Sequence, residues 1–123
     1  MDNRFTRQSR LLKASQFQSV FAKAQFKASD KYVLLLANPN SENRNRIGLV
    51  VGKKKIKRAV DRNRFKRIAR ETFRHHKSRL NNLDIIVLAR PGSGDLSSVD
   101  LHKSFKTVWP VLERKSKRAR KSC

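Results

Sequence analysis

The 123-residue chain has one cysteine, one methionine, one tryptophan, one tyrosine, three prolines and four glycines. A single cysteine, Cys123, permits no disulfide within the chain and no thiolate zinc cluster. A hydrophobic fraction of 37% with three clear apolar segments argues against complete disorder. The longest apolar run, Tyr32–Ala37, falls far short of the ~20 residues that span a bilayer. Met1–Phe5 begins no hydrophobic stretch of the secretory kind. Scarcest of all relative to its opposite is negative charge: nine Asp and Glu face 31 Lys and Arg, leaving a formal net charge of +22. A folded protein of 14.3 kDa exposes roughly 6,800 Å², or about one uncompensated charge per ~300 Å². Such a surface repels itself in isolation, and nucleic acid is the common polyanion that relieves it. The expectation is a soluble cytoplasmic protein with a polyanionic partner, without membrane or small-molecule substrate.

What is present has the organisation of one domain over residues 1–123. Residues 1–13, with Arg4, Arg7, Arg10 and Lys13, form a basic N-terminal arm that would order on a partner. Ser15 is an N-cap candidate, and Phe17, Val20, Phe21 and Ala24 follow at i, i+3, i+4 and i+7, predicting a short amphipathic helix. Residues 31–37 and 46–52 are strand-like, and the Asn38–Asn43 turn cluster between them predicts an antiparallel hairpin. No Gly or Pro interrupts a long helix predicted over 59–76, and Leu83–Arg90 is a third strand ended by Pro91-Gly92-Ser93-Gly94. The strands on either side of the long helix should therefore run parallel. A last helix begins near 96–98 and carries Leu101, Phe105, Val108 and Leu112 on one side, with a kink or an early end expected at Pro110. Residues 114–123 form a basic tail with no apolar content worth burying.

The region from Lys53 to Arg79 holds 13 Lys or Arg among 27 residues, opposed only by Asp61 and Glu71. At about 100° per residue, Phe65, Ile68, Ala69, Thr72 and Phe73 share one arc of the long helix. Arg64, Lys66, Arg67, Arg70, Arg74 and Lys77, with Asn63, take the opposite arc. Solvated helix faces ordinarily mix charge signs at i,i+4, and this arc hardly does. Arginine forks grip phosphate oxygens and stack on bases, and Asn63 suits a ribose hydroxyl or a base edge.

No catalytic group of a nuclease is legible. The nine carboxylates are scattered singly, so none gathers a divalent metal site. His75 and His76 are adjacent and diverge by about 100° on a helix, and His102 lies on another element. No Gly-rich phosphate loop occurs. No catalytic residue and no protein metal ligand is assigned, and cleavage, if any, would be performed by something other than this chain.

Arg62-Asn63-Arg64-Phe65-Lys66-Arg67, preceded by Lys57-Arg58-Ala59-Val60-Asp61 and followed by Ile68-Ala69-Arg70-Glu71, resembles the signature of the bacterial ribonuclease P protein subunit family. Arg46–Lys54 is similar to that family's strand leading into the signature, and the resemblance spans about residues 5–112. It implies an α+β fold: a single-domain α/β sandwich whose small mixed sheet has the long basic helix in a left-handed strand–helix–strand crossover, although the general rule favours the right-handed kind. It also implies an accessory subunit of a ribonucleoprotein endoribonuclease. A catalytic RNA cuts the 5′ leader from precursor tRNA with Mg2+ held by the RNA, and the protein binds both RNAs.

By resemblance, Arg62, Asn63, Arg64, Lys66, Arg67 and Arg70 contact the catalytic RNA, flanked by Lys53, Lys54 and Arg58, and Arg74 joins this RNA-binding set from its place on the basic arc. Phe17, Phe21 and Leu35 line a cleft for the leader, with core packing as the competing role of the two phenylalanines. Leu35 stands where some members have a tyrosine, Gly52 replaces a more usual Ser or Ala, and Pro110 interrupts a helix that is often continuous. The charge by itself equally supports a structural, ribosomal-type RNA-binding protein.

Overall fold

The computed structural model of the chain describes residues 14–40, 44–76, 80 and 82–121, with side chains between 18 and 117 in those ranges. The arm over 1–13, turn residues 41–43 and Lys77 lie outside the described residues. In chain order the elements are α1 (Ala14–Lys23), β1 (Phe26–Ser29), β2 (Val33–Pro39), β3 (Arg46–Val50), α2 (Ala59–His76), β4 (Leu83–Ala89), a 3-10 turn (Ser93–Asp95) and α3 (Ser98–Lys121).

β4 is Leu-Asp-Ile-Ile-Val-Leu-Ala, so nearly all of its side chains need cover on both faces of a sheet. It accordingly takes a central place, in the order β1-β2-β4-β3. β2 pairs antiparallel with β1 and with β4, while β3 pairs parallel with β4, Ile47 opposite Ile85. The parallel relation across α2 is as expected. The hairpin predicted between 31–37 and 46–52 does not form, because β4 lies between those strands. β1 is an addition to the predicted elements: only Phe26 and Ala28 of its four residues face inward, too short an alternation to stand out.

Strand alternation sends Val33, Leu35 and Ala37 of β2 into the main core with Ile47, Ile85 and Val87. α2 and α3 cover that face through Phe65, Ile68, Phe73, Phe105, Val108 and Trp109. The opposite face carries cross-strand rows Asn38–Asp84–Arg46, Leu36–Ile86–Gly48 and Leu34–Leu88–Val50. α1 docks there through Val20, which is buried against Ile86. Arg46 fastens one end of this face: its Nε and Nη2 donate to Asp84 Oδ1 and Oδ2 at 2.7 and 2.8 Å, and Asn40 Nδ2 adds a bond to Oδ1 at 2.9 Å.

α3 neither ends nor breaks at Pro110 and runs on to Lys121, taking in most of the segment predicted to be a basic tail. Proline cannot donate to the carbonyl four residues back, here that of Lys106. Lys106 is exposed and Pro110 is on the outer side, so water can take the freed carbonyl. Beyond Pro110 the helix still has something to pack: Leu112 is fully buried and Ser116 is 3% exposed.

Candidate nucleic-acid interface

α2 is positioned by its apolar side. Asp61 in the first turn and Arg74, His75 and His76 in the last complement the helix dipole. Phe65, Ile68, Ala69, Thr72 and Phe73 are buried, the five residues of the predicted apolar arc. Phe65 meets Phe105 edge-on with ring centroids 5.4 Å apart, and Phe73 meets Trp109 at 5.7 Å. Thr72 is buried without loss because its hydroxyl donates to the Ile68 carbonyl (2.8 Å) and accepts from Trp109 Nε1 (2.9 Å). With this side fixed, the opposite arc has only one way to face. Asn63 and Arg67 are exposed, and Arg64, Lys66, Arg70 and Arg74 are half-buried at their stems. Asn63, Arg64, Arg67 and Arg70 line one shallow depression on the outer surface.

Little opposes this charge. Asp61 Oδ1 is 3.5 Å from Arg64 Nη2 and Asp61 Oδ2 is 3.9 Å from Arg58 Nε, and Arg58 is 77% exposed, where an ion pair is weak. Glu71 is turned away to His102 of α3, at 3.7 Å. The Nε groups of Arg64 and Arg74 are buried without a hydrogen-bond partner among the described residues.

The turn before α2 carries Lys53, Lys54, Lys55, Lys57 and Arg58, all exposed. It is braced in three ways. The Gly52 carbonyl accepts from the Lys55 and Ile56 amides, both at 3.1 Å. Ile56 is buried to 2% against Gly94 of the 3-10 turn, so closely that a Cβ at Gly94 would lie 2.8 Å from Ile56 Cγ2. Arg62 Nη1 donates to the Ile56 and Lys57 carbonyls at 3.0 and 2.7 Å. Arg64 Nη2 reaches across to the Gly94 carbonyl at 3.1 Å. A second depression between turn and 3-10 turn has Lys54, Lys57 and Arg58 on its wall and shares Asp61 with the first.

The predicted residues thus separate. Lys53, Lys54, Arg58, Asn63, Arg64, Lys66, Arg67, Arg70 and Arg74 come together around α2 and the turn that leads into it. Arg62 belongs to the same place, but its guanidinium is spent on the turn. The helical wheel already puts Arg62 beside Phe65, off the basic arc. Ile56 and Gly94 are absent from the predicted site; the one signal for them is Gly94 itself, which the sequence shows only as part of a strand-ending turn.

On the other side of the sheet, Phe21 is 49% exposed on α1. Phe17 belongs to α1, but its side chain lies outside the described ones. Leu36, Val50 and Leu88 form a half-buried apolar floor around Val20 and Ile86. Leu35 is not part of it: the side chain is completely buried in the main core, on the α2 side. Period-two alternation gives its neighbours Leu34 and Leu36 to the α1 side instead.

Among the described residues no helix is long and apolar enough to cross a membrane, and no three His, Cys, Asp or Glu side chains gather in a way that could hold a metal ion.

The family model described as Ribonuclease P matches residues 5–113. The ribonuclease P protein component of Pseudomonas aeruginosa is 48% identical over 110 residues, covering 89% of this chain and 82% of that protein. That of Chromohalobacter salexigens is 48% identical over 113 residues, covering 92% and 88%. In structure, the RNase P protein of Staphylococcus aureus superposes with a TM-score of 0.75 at 31% identity, over 83% of this chain and 93% of that one. The RNase P protein of Thermotoga maritima gives 0.70 at 25% identity, over 86% and 96%. Together with the α+β sheet and the basic helix set against it, these matches leave one conclusion: the chain belongs to the family of bacterial ribonuclease P protein components.

Proposed function

We propose that this protein is the non-catalytic partner of a catalytic RNA in ribonuclease P, docking that RNA on the outer arc of α2 and the Lys53–Arg58 turn. The observation that carries this reading is the outward arc from Asn63 to Arg74, a row of guanidinium and ammonium groups that, among the described residues, only Asp61 opposes directly. Arginine forks on a rigid helix suit phosphate oxygens, and the braced turn adds lysines at the helix start. The 5′ leader of precursor tRNA is the single strand assigned to the face of the sheet beneath α1. Support comes from an exposed aromatic, Phe21, and the half-buried floor of Leu36, Val50 and Leu88. Aromatic stacking contributes about 1–3 kcal/mol per base.

Hydrolysis of the phosphodiester is assigned to the RNA and to magnesium ions that it holds, since dispersed carboxylates such as Asp30, Asp84 and Asp100 offer no shared ligand set. The protein's part is to position the leader and to neutralise phosphates near the RNA. Purified protein free of RNA is expected to leave precursor tRNA intact, and adding the catalytic RNA should give cleavage at a lower magnesium concentration than the RNA needs unaided. Leader removal by RNA-free protein supplied with magnesium would sink the proposal.

A further inference from the structure

α2 is not the most cationic helix of the molecule. α3 carries eight Lys or Arg against Asp100 and Glu113, whereas α2 carries six against Asp61 and Glu71. The burial of α3 decides where that charge goes. Leu101, Phe105, Val108, Trp109 and Leu112 are all buried, which fixes one side of the helix on the sheet and on α2. Lys103, Lys106, Arg114 and Lys117 then fall within an arc of about 80° on the opposite side, spread over ~21 Å of helix. All four are exposed. Lys117 is held by Glu113 at 2.9 Å, and Lys115 is turned aside to the Lys27 carbonyl. Lys103, Lys106 and Arg114 have no ion-pair partner among the described residues.

This stripe is a separate row from the α2 arc. The two helices face each other through Phe65–Phe105 and Phe73–Trp109, so their outer arcs point outward side by side. The carboxylate nearest the seam, Glu71, is occupied by His102. A helix face that had only to be soluble would mix signs at i,i+4, as Glu113–Lys117 does; the Lys103–Lys106–Arg114 stretch does not.

We propose that the outer arc of α3 is a second RNA-contact surface, taking the phosphate backbone of an RNA helix beside the segment held by α2. It rests on the reading of α2 as an RNA-docking face. The phosphates are those of the catalytic RNA, because the stripe lies beside the α2 arc on the same side of the sheet; the body of precursor tRNA is the competing outcome of the test.

Lys103→Ala, Lys106→Ala and Arg114→Ala are combined in one variant, Arg67→Ala and Arg70→Ala in a second, and Lys31→Ala, Arg44→Ala and Arg90→Ala in a third that removes equal charge elsewhere. Trp109 fluorescence checks that each is folded. Affinity is measured against salt, first for the catalytic RNA and then, on the assembled holoenzyme, for precursor tRNA. The α3 variant is expected to flatten the logarithmic salt dependence by about 2–3 for the catalytic RNA, since each duplex phosphate contact contributes roughly 0.9. The control should change neither by more than about one contact's worth. A charge-conserving variant that combines Lys103→Arg, Lys106→Arg and Arg114→Lys should keep the parental slope. Loss with the catalytic RNA supports the proposal, and loss only with precursor tRNA overturns it in favour of the tRNA body. Parental slopes for the α3 variant with both RNAs, or equal flattening by the control, overturn the proposal. Parental binding by the Arg67/Arg70 variant would instead overturn the docking role of α2.

Discussion

At the scale of single residues, Arg62 and Gly94 show how the basic turn is kept in place by groups that need not touch RNA. Gly94→Ala puts a methyl group where Ile56 Cγ2 already lies 2.8 Å away. Ile56 must then shift, and with it the Lys53–Arg58 turn, at a cost of about 1–3 kcal/mol typical of overpacking. The expected result is weaker binding to the catalytic RNA with every basic residue still present, measured by filter binding beside a denaturation midpoint. Unchanged affinity in a folded variant would mean that the turn does not contribute. The sheet supplies a second contrast. Leu35→Ala should lower stability by about 2–5 kcal/mol and leave discrimination between precursor and mature tRNA alone, because Leu35 is sealed in the core. Phe21→Ala, at an exposed position, should do the reverse and weaken precursor more than mature tRNA. Equal weakening of both substrates would remove Phe21 from the leader site. The sequence shows Leu35 only as one leucine of three in a row; which of them faces α1 depends on strand phase, and phase is set by the pairing partners.

At the scale of elements, α2 is legible from end to end, because one period of 3.6 residues governs both its apolar and its basic arc and nothing interrupts it. The sheet is less so. A turn-rich link between two strands signals a hairpin, but strand order follows from which strand needs two neighbours, and that is β4, whose apolar run comes much later in the chain. β1 is four residues long, below what alternation can announce. α3 outruns its predicted end at Pro110 because a proline's cost in a helix depends on where the freed carbonyl points. Pro110→Ala restores the missing donor on the outer side of a helix that is already continuous. It should raise the denaturation midpoint, by at most the ~3 kcal/mol that separates the two residues in helix interiors. A lower midpoint would show that the proline's fixed backbone at this position helps Leu112 and Ser116 to reach their buried positions. The Arg46–Asp84 pair joins the two strands that flank α2 in sequence, with only 11% and 12% of the side chains exposed. Asp84→Ala takes the carboxylate away from both the Arg46 guanidinium and the Asn40 amide and should cost about 3–5 kcal/mol, read as a lower denaturation midpoint.

At the scale of the whole molecule, the charge that first pointed to a partner also acts on the free protein. Of the 31 Lys and Arg behind the net charge of +22, 15 lie on surfaces with few carboxylates: α2, its leading turn and the outer arc of α3. Close ion pairs such as Asp61–Arg64 and Glu113–Lys117 neutralise only a few of these cations. At low ionic strength the screening length is about 30 Å, comparable with the molecule, so nearly every cation repels every other; at physiological ionic strength it is about 8 Å and only neighbours interact. Unfolding spreads the charges apart, so repulsion favours the unfolded chain, and salt should raise the denaturation midpoint of the free protein. A polyanion should do more than salt, because it binds the native surface and not merely the charge. At a concentration 100-fold above its dissociation constant, RNA would stabilise the native state by about 2.7 kcal/mol. For a domain of this size that raises the midpoint by roughly 10 °C. A neutral polymer of the same size should not. If the midpoint instead stayed flat from low to high salt, the cations would have to be balanced within the fold, and the distribution seen on α2 and α3 would have to be abandoned as the source of RNA affinity.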